Sequence, residues 1–476
     1  MVSKKKFIIF IPLVLLLVYI IFYAFFYKRL DVKKIDADCE LLSKIFTEAS
    51  VDISQTIDEG LDVNELIARI KKEYAKQIKS QKRSMSVTEN GIADNRFAMS
   101  ISKVLKEELT RPNGHLYINS PYEMFYPFTS YVFFASDLLF EKEDSKYKVY
   151  KTNNNQIKKG MLYTGNEENL FKTIVDDKIL YRFGYYSNEW LTHGKANLEG
   201  KDYRIKLTFN NKAEAEVQNF SLKTEGKVLT VKANSFMWRT EAEKNKILET
   251  ITTIGKTLKE EDIELIVFDL RGNGGGYSTV SYLLLGTLVT GTDNENAEEF
   301  GDYIKYYNYL HSDDICINTF TSRNRISLEG RGDSNLTRYL LTKTGEKYTI
   351  LTDPEAEYLE TITPVYKGKI IFLSDVRTGS GAEDFILAAK SVFKDKVTIL
   401  GHSSRGALDY ANVFQFKLPD SKLSMLISFT DSTKAPVIKN STCWQGDAKG
   451  VLPDYWFTFE DDFDLAKLVH FFTEDF

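Results

Sequence analysis

The chain has 476 residues, 43% hydrophobic and 13% aromatic, enough apolar material for a large core, which excludes an intrinsically disordered protein. Three cysteines exclude a disulfide scaffold, and five histidines (His115, His193, His311, His402 and His470) confine any imidazole chemistry to a few positions. The formal net charge of −5 is uneven: residues 1–34 carry seven Lys or Arg against Asp31 alone, so the remainder is distinctly acidic. This argues against nucleic-acid binding, which needs basic surface to neutralise phosphates.

The first element is Phe7 to Tyr27, a run of 21 residues without a charge. As a helix it is long enough to cross a hydrocarbon core of about 30 Å. Lys4, Lys5 and Lys6 precede it and no small-x-small cleavage site follows, so it reads as an uncleaved signal anchor, with a cleaved signal peptide as the alternative. Lys28, Arg29, Lys33 and Lys34 balance the leading lysines, so charge does not set its orientation.

Residues 35–121 read as a helical region. Leu41, Leu42, Ile45 and Phe46, then Leu66, Ile67 and Ile70, recur at helical spacing. A further amphipathic run, Phe97 to Leu109, stops at Arg111-Pro112-Asn113-Gly114, and His115-Leu-Tyr-Ile opens a strand. Residues 122–235 carry short aromatic and β-branched runs (Tyr131-Val-Phe-Phe, Tyr147-Lys-Val-Tyr, Ile179-Leu-Tyr-Arg-Phe) between Asn, Lys and Gly turns, which predicts a β-rich domain; within it Ile157-Lys-Lys-Gly-Met-Leu-Tyr resembles a strand of a PDZ module. From 236 to 476 the pattern is α/β. A helix at about 241–258 leads to a strand at 265–270, then a glycine run and a helix through 282–288. A second strand at 370–373 enters a helix at about 381–394, and a third lies at 397–400. Residues 290–350 form a polar insertion too long for an ordinary loop.

Two strand-to-helix turns carry the chemistry. In Asp269-Leu-Arg-Gly-Asn-Gly-Gly-Gly276, glycines expose backbone N–H groups that suit a phosphate or a developing oxyanion. The run lacks the lysine of a P-loop and the third glycine of a dinucleotide fingerprint. In Thr378-Gly-Ser380-Gly-Ala-Glu383, a serine heads a helix, and Ser380-x-x-Glu383 also fits a capping box. No metal-ligand spacing is present, and no cofactor is expected.

These two turns, followed by Gly401-His-Ser-Ser-Arg-Gly and Gly450-Val-Leu-Pro-Asp454, resemble the S41 peptidase family, which contains the C-terminal processing proteases and the tricorn core protease. The resemblance covers roughly 236–458, with His115 upstream. It implies an S41-type (ClpP/crotonase-like) core, with residues 122–235 in the place of the family's PDZ domain, as a PDZ-like or degenerate β domain. It implies Ser380 as nucleophile, an oxyanion hole from the Gly381 amide with Gly275 or Gly276, and Glu383 in support. The processing proteases use a lysine base, but the matching position is Ala407, and Arg405 beside it does not deprotonate. The tricorn-like branch implies His115 as base and Asp447 as its orienting acid, with His402 in reserve.

The resulting expectation is a membrane-anchored serine endopeptidase. Its catalytic domain lies outside the cytoplasm, it is secreted if the signal is cleaved, and it acts on peptides or unfolded protein segments. The alternatives are a catalytically inactive peptide-binding relative and, further off, a crotonase-like acyl-CoA enzyme. His193, His311 and His470 have no partner motif and read as surface or packing residues. Cys316 and Cys443 are candidates to pair outside the cell, and Asn219, Asn335 and Asn440 are glycosylation sequons.

Overall fold

The computed structural model describes residues 35–79, 85–88, 91–120, 123–209, 220–292, 298–317, 347–350, 362–458 and 464–473. The expected anchor at 7–27 and the sequons at Asn219 and Asn335 lie outside the described residues, as does most of the insertion beyond 317. Among the described residues, no helix is long and apolar enough to cross a membrane. Cys39, Cys316 and Cys443 are free thiols, so the candidate pair is not formed.

The chain divides into two compact units. The first takes the described parts of Met1–Thr110 with Leu116–Pro127 and Phe414–Ile427. It contains α1 (Asp36–Glu48), α2 (Val51–Asp58), α3 (Val63–Lys79), the hairpin β1 (Met85–Thr88) and β2 (Gly91–Asp94), α4 (Asn95–Glu108), and the strands β3 (Tyr117–Asn119) and β4 (Met124–Phe125). The helical spacing in the sequence becomes a buried stripe: Leu42, Ile45 and Phe46 on α1, Leu66 and Ile70 on α3, and Phe97 and Ile101 on α4. Tyr74 tilts against Phe97 with ring centroids 5.2 Å apart.

The second unit holds the remaining residues. Its β-rich part begins with the antiparallel sheet β5 (Val132–Glu143), β6 (Lys146–Lys151), β7 (Leu170–Val175) and β8 (Lys178–Ser187), in the order β6-β5-β8-β7. The hairpin β9 (His193–Leu198) and β10 (Lys201–Lys206) adds to its core, where Phe134, Leu138, Phe140 and Phe183 are buried with Ala196 and Leu198. The expected strand at Ile157 does not form. Gly160 takes φ +87°, so Lys158-Lys159-Gly160 turns the chain, and only bridges at Leu162 and Tyr163 remain.

The main sheet begins earlier than the change of pattern at 236 suggests. β11 (Phe220–Glu225) and β12 (Val228–Ala233) are its first two strands. The chain continues through α5 (Glu241–Glu260), β13 (Leu265–Asp269), α6 (Ser278–Thr290), α7 (Glu298–Leu310), β14 (Ile315–Ile317), β15 (Tyr348–Ile350), β16 (Lys369–Ser374), α8 (Gly381–Phe393), β17 (Val397–Gly401), β18 (Tyr410–Lys417), β19 (Ser424–Asp431), β20 (Tyr455–Trp456) and α9 (Leu465–Thr473). The sheet order is β11-β12-β13-β16-β17-β20, parallel from β12 onward with β11 as an antiparallel edge.

The central strands are apolar on both faces because both faces are covered. Ile266, Phe268, Ile370 and Phe372 point into one core with residues of α5, α6 and α8. Leu265, Val267, Ile371 and Leu373 point into the other with Ile174 and Leu468. Each such side chain contributes about 1.5–3 kcal/mol over an exposed one. Polar chemistry is thereby driven to the strand ends, and the carboxyl ends of the neighbouring strands β13 and β16 open into the two glycine-rich turns.

Candidate active site

The two turns are stitched together by their own polar groups. Asp375 Oδ1 accepts from the backbone N–H of Gly272, 2.9 Å away, and from those of Arg377 and Thr378 at 3.0 Å each. The Thr378 hydroxyl donates to the Leu270 carbonyl at 2.9 Å. The Gly379 N–H donates to the Asn273 carbonyl at 2.9 Å. The buried Asn273 side chain donates to the Ala233 carbonyl and accepts from the Gly275 N–H, both at 2.9 Å.

That last bond separates two residues the sequence could not rank. The Gly275 N–H is taken by Asn273. The Gly276 and Gly381 N–H groups have no hydrogen-bond partner among the described residues, and a Cβ placed on Gly381 would lie 3.6 Å from the Gly276 nitrogen. Gly275 still matters sterically: with φ +88°, its missing side chain would meet the Gly379 oxygen at 2.5 Å and Ser380 Cβ at 2.7 Å.

Ser380 itself has φ 53° and ψ −125°, a conformation that few non-glycine residues adopt. An ordinary N-cap serine is extended; Ser380 departs from that backbone while still completing the expected capping box with Glu383. Glu383 holds it there. Its buried carboxylate accepts from the Ser380 N–H at 2.8 Å, the Ala407 N–H at 3.0 Å, the Gly406 N–H at 2.7 Å and the Ser404 hydroxyl. Burial pushes the carboxyl up from its ordinary value, against the opposing pull of those four donors.

His115 lies against the same loop. A Cβ on the preceding Gly114 would fall 2.9 Å from Ala407 Cβ, so only glycine permits this approach. His115 Nδ1 donates to the Tyr410 carbonyl at 2.6 Å, which fixes the tautomer and leaves Nε2 as the basic nitrogen. Burial, followed by the Arg405 guanidinium, lowers the imidazole to about 4 despite that carbonyl. Among the described residues, no hydrogen bond joins the Ser380 hydroxyl to His115.

Asp447 is not bonded to the imidazole as the sequence suggested. One oxygen accepts from the Gly114 N–H at 2.8 Å, and the other from Leu408 and Asp409 at 2.7 and 2.8 Å. It grips the backbone beside His115 rather than the ring. Burial, then the neighbouring Asp409 charge, drives Asp447 well above the usual carboxylate range. His402, the reserve base, is buried edge-on against Phe133 and Phe209, at 6.1 and 6.3 Å between centroids. Burial lowers it to about 4 against the pull of Asp375. His193 is exposed, while His311 contacts Asp384, a pairing no sequence motif announced. Among the described residues, no group of His, Cys, Asp and Glu is placed to hold a metal ion.

The parallel core and its paired strand-end turns define an α/β protein with its candidate site at the carboxyl ends of two neighbouring strands. Residues 227–456, just under half of the chain, match the model of Peptidase family S41. No curated protein matches the chain. Among solved structures, mature CPAF is 12% identical, with 89% of this chain and 92% of that one covered and a TM-score of 0.41. The photosystem II D1 C-terminal processing protease is 11% identical, with 88% and 92% covered and a TM-score of 0.34. A lipoprotein from Streptococcus agalactiae is 13% identical, with 54% and 70% covered and a TM-score of 0.30.

Proposed function

We propose that the protein is a serine endopeptidase that hydrolyses peptides or unfolded protein segments through an acyl-enzyme. The observation that carries this reading is Ser380, held at positive φ at the head of α8 beside the two unengaged N–H groups of Gly276 and Gly381. A serine hydroxyl needs a base, and its tetrahedral adduct needs preorganised donors. His115 Nε2 takes the Ser380 proton as the hydroxyl attacks the scissile carbonyl. The Gly276 and Gly381 amides receive the oxyanion, and the imidazolium returns the proton to the leaving amine. Water then repeats the sequence to release the acyl group. Asp447 serves by fixing Gly114, and the Tyr410 carbonyl orients the ring. The Ser380–His115 bond forms when substrate draws the two together, as catalytic bonds often tighten only in the complex.

The test is labelling by a fluorophosphonate probe together with hydrolysis of an unfolded protein. Both should be present in the wild type and lost in Ser380→Ala. Equal cleavage by the variant sinks the assignment. A second reading, a peptide-binding protein without turnover, is favoured by the unmade Ser380–His115 bond. It predicts peptide binding with no labelling of the wild type.

Residues 7–27 are read as a membrane anchor with the catalytic domain outside the cytoplasm, on the strength of their uncharged apolar run. Release of the full-length chain from membranes by carbonate alone, without detergent, would refute this.

A further inference from the structure

A second buried polar cluster lies on the other side of the serine helix. His311, just past the end of α7, places Nε2 3.2 Å from Asp384 Oδ1. The other Asp384 oxygen accepts from the Tyr307 hydroxyl at 3.0 Å, and the Tyr307 ring packs on the His311 ring with centroids 4.7 Å apart. Tyr307 in turn contacts Tyr282 of α6 and Tyr303 of α7. Asp384 is 4% exposed. Its backbone N–H donates to the Ser380 carbonyl at 3.0 Å and so closes the first turn of α8.

The first turn of α8 is thus gripped twice. Glu383 ties it to residues 404–407, and Asp384 ties it to α7. The second grip is the conditional one, because its strength depends on whether His311 carries a proton.

We propose that His311, acting through Asp384, is a positioning residue that holds the Ser380 turn and the Gly381 amide in register, and that its deprotonation loosens them. This inference rests on the reading of Ser380 as nucleophile. The groups facing His311 are Asp384 from α8, Tyr307 from α7, and Asp314 from the segment leading into β14. Asp431 and Ser432, at the end of β19, lie beyond Asp314. Burial alone would lower the imidazole. The Asp384 carboxylate 3.2 Å away, then the charge of Asp314, outweighs burial and raises it to about 8. A raised histidine contributes its tether fully below its unfolded value of about 6.5 and loses it as pH rises through about 8. Asp314, lifted by burial to about 6, gives up its proton at lower pH than His311, so its charge accompanies the tether as His311 titrates.

The test uses the full chain as wild type, His311→Gln and Asp384→Asn. The fluorophosphonate labelling rate of Ser380 is measured from pH 6 to 9.5, alongside hydrogen exchange of peptides spanning 377–388, corrected for the intrinsic effect of pH. In the wild type, labelling falls roughly tenfold through a midpoint near 8, and exchange in 381–388 rises with it. His311→Gln is slow throughout and has no alkaline limb. Asp384→Asn, which keeps an acceptor for Tyr307, moves the limb to lower pH. An unchanged limb in His311→Gln overturns the proposal; if that variant does not fold, an unchanged limb in Asp384→Asn does so. If the wild type never labels, the reading of Ser380 fails. The exchange data then still decide on His311: a pH response of the first turn that is missing in the wild type, or the same in the variants, refutes the tether.

Discussion

Glu383 Oε2 lies 2.8 Å from the Ser380 nitrogen and 3.0 Å from the Ala407 nitrogen, so one carboxylate oxygen joins the serine turn to the loop beside His115. A buried carboxylate with four donors and, among the described residues, no ion-pair partner acts here as a scaffold. Glu383→Gln leaves a single acceptor oxygen and turns an NH2 group toward N–H donors. Each unpaired buried donor costs about 1–3 kcal/mol. The expected outcome is a clear fall in melting temperature with loss of most turnover, measured by calorimetry and peptide hydrolysis. A variant as stable and active as the wild type would show that this join is dispensable.

The glycines of the first turn are not equivalent. Gly275→Ala must place a Cβ 2.5 Å from the Gly379 oxygen at a φ of +88°, whereas Gly274→Ala meets nothing closer than 3.9 Å. Turnover should fall at least about 100-fold in the first, the scale of losing an oxyanion donor. The second should stay within about 0.5 kcal/mol of wild-type stability and near wild-type rate. Steady-state kinetics and melting curves on the pair decide the matter.

On the proposed mechanism, the acid limb of activity reports His115 as the base. Because burial and Arg405 lower His115 to about 4, the imidazole is neutral, and able to accept a proton, down to that pH. A profile of kcat/KM should therefore stay level from pH 7 to about 5 and fall only through about 4, well below an ordinary histidine near 6.5. Removing the guanidinium in Arg405→Gln should move the limb upward. A wild-type limb at 6.5 would mean that His115 is not the titrating base.

Asp447→Asn probes positioning without touching the ring. The carboxylate spreads three N–H bonds over two oxygens, and the amide has only one acceptor. Losing the Gly114 anchor should lower kcat, by up to about 100-fold for a misplacement of about 1 Å, with KM little changed. A change confined to KM would argue for a role in substrate binding instead.

Much of this was legible in the sequence. The apolar runs at 265–268 and 370–373 and the glycine turns after them gave the covered core sheet, because doubly covered strands need unbroken apolar sequence. The order of the motifs pointed to Ser380 and His115 as the proposed nucleophile and base. What escaped was carried by the backbone. The Tyr410 carbonyl has no residue signature, and neither does the Gly275 N–H that Asn273 occupies. Asp447 was chosen by its place near the terminal motif, yet its partners are amides. The His311–Asp384 pair joins separate helical segments with no motif between them. β11 and β12 alternate like the β-rich stretch before them, so only their pairing with β13 assigns them to the core.

One feature of the sheet limits how this chain can change. Asp269 pairs with Leu373, and Gly276 and Ser380 each lie seven residues beyond that pair. The two turns are therefore matched in length as well as tied by bonds. Adding or deleting one residue in either would slide one side of the site by a residue, about 3.3 Å along the chain. Oxyanion donors work only within about 2.7–3.1 Å of their target. Point changes between the strand ends and Ser380 can be absorbed one at a time, whereas a single insertion or deletion in one turn would need a matching one in the other.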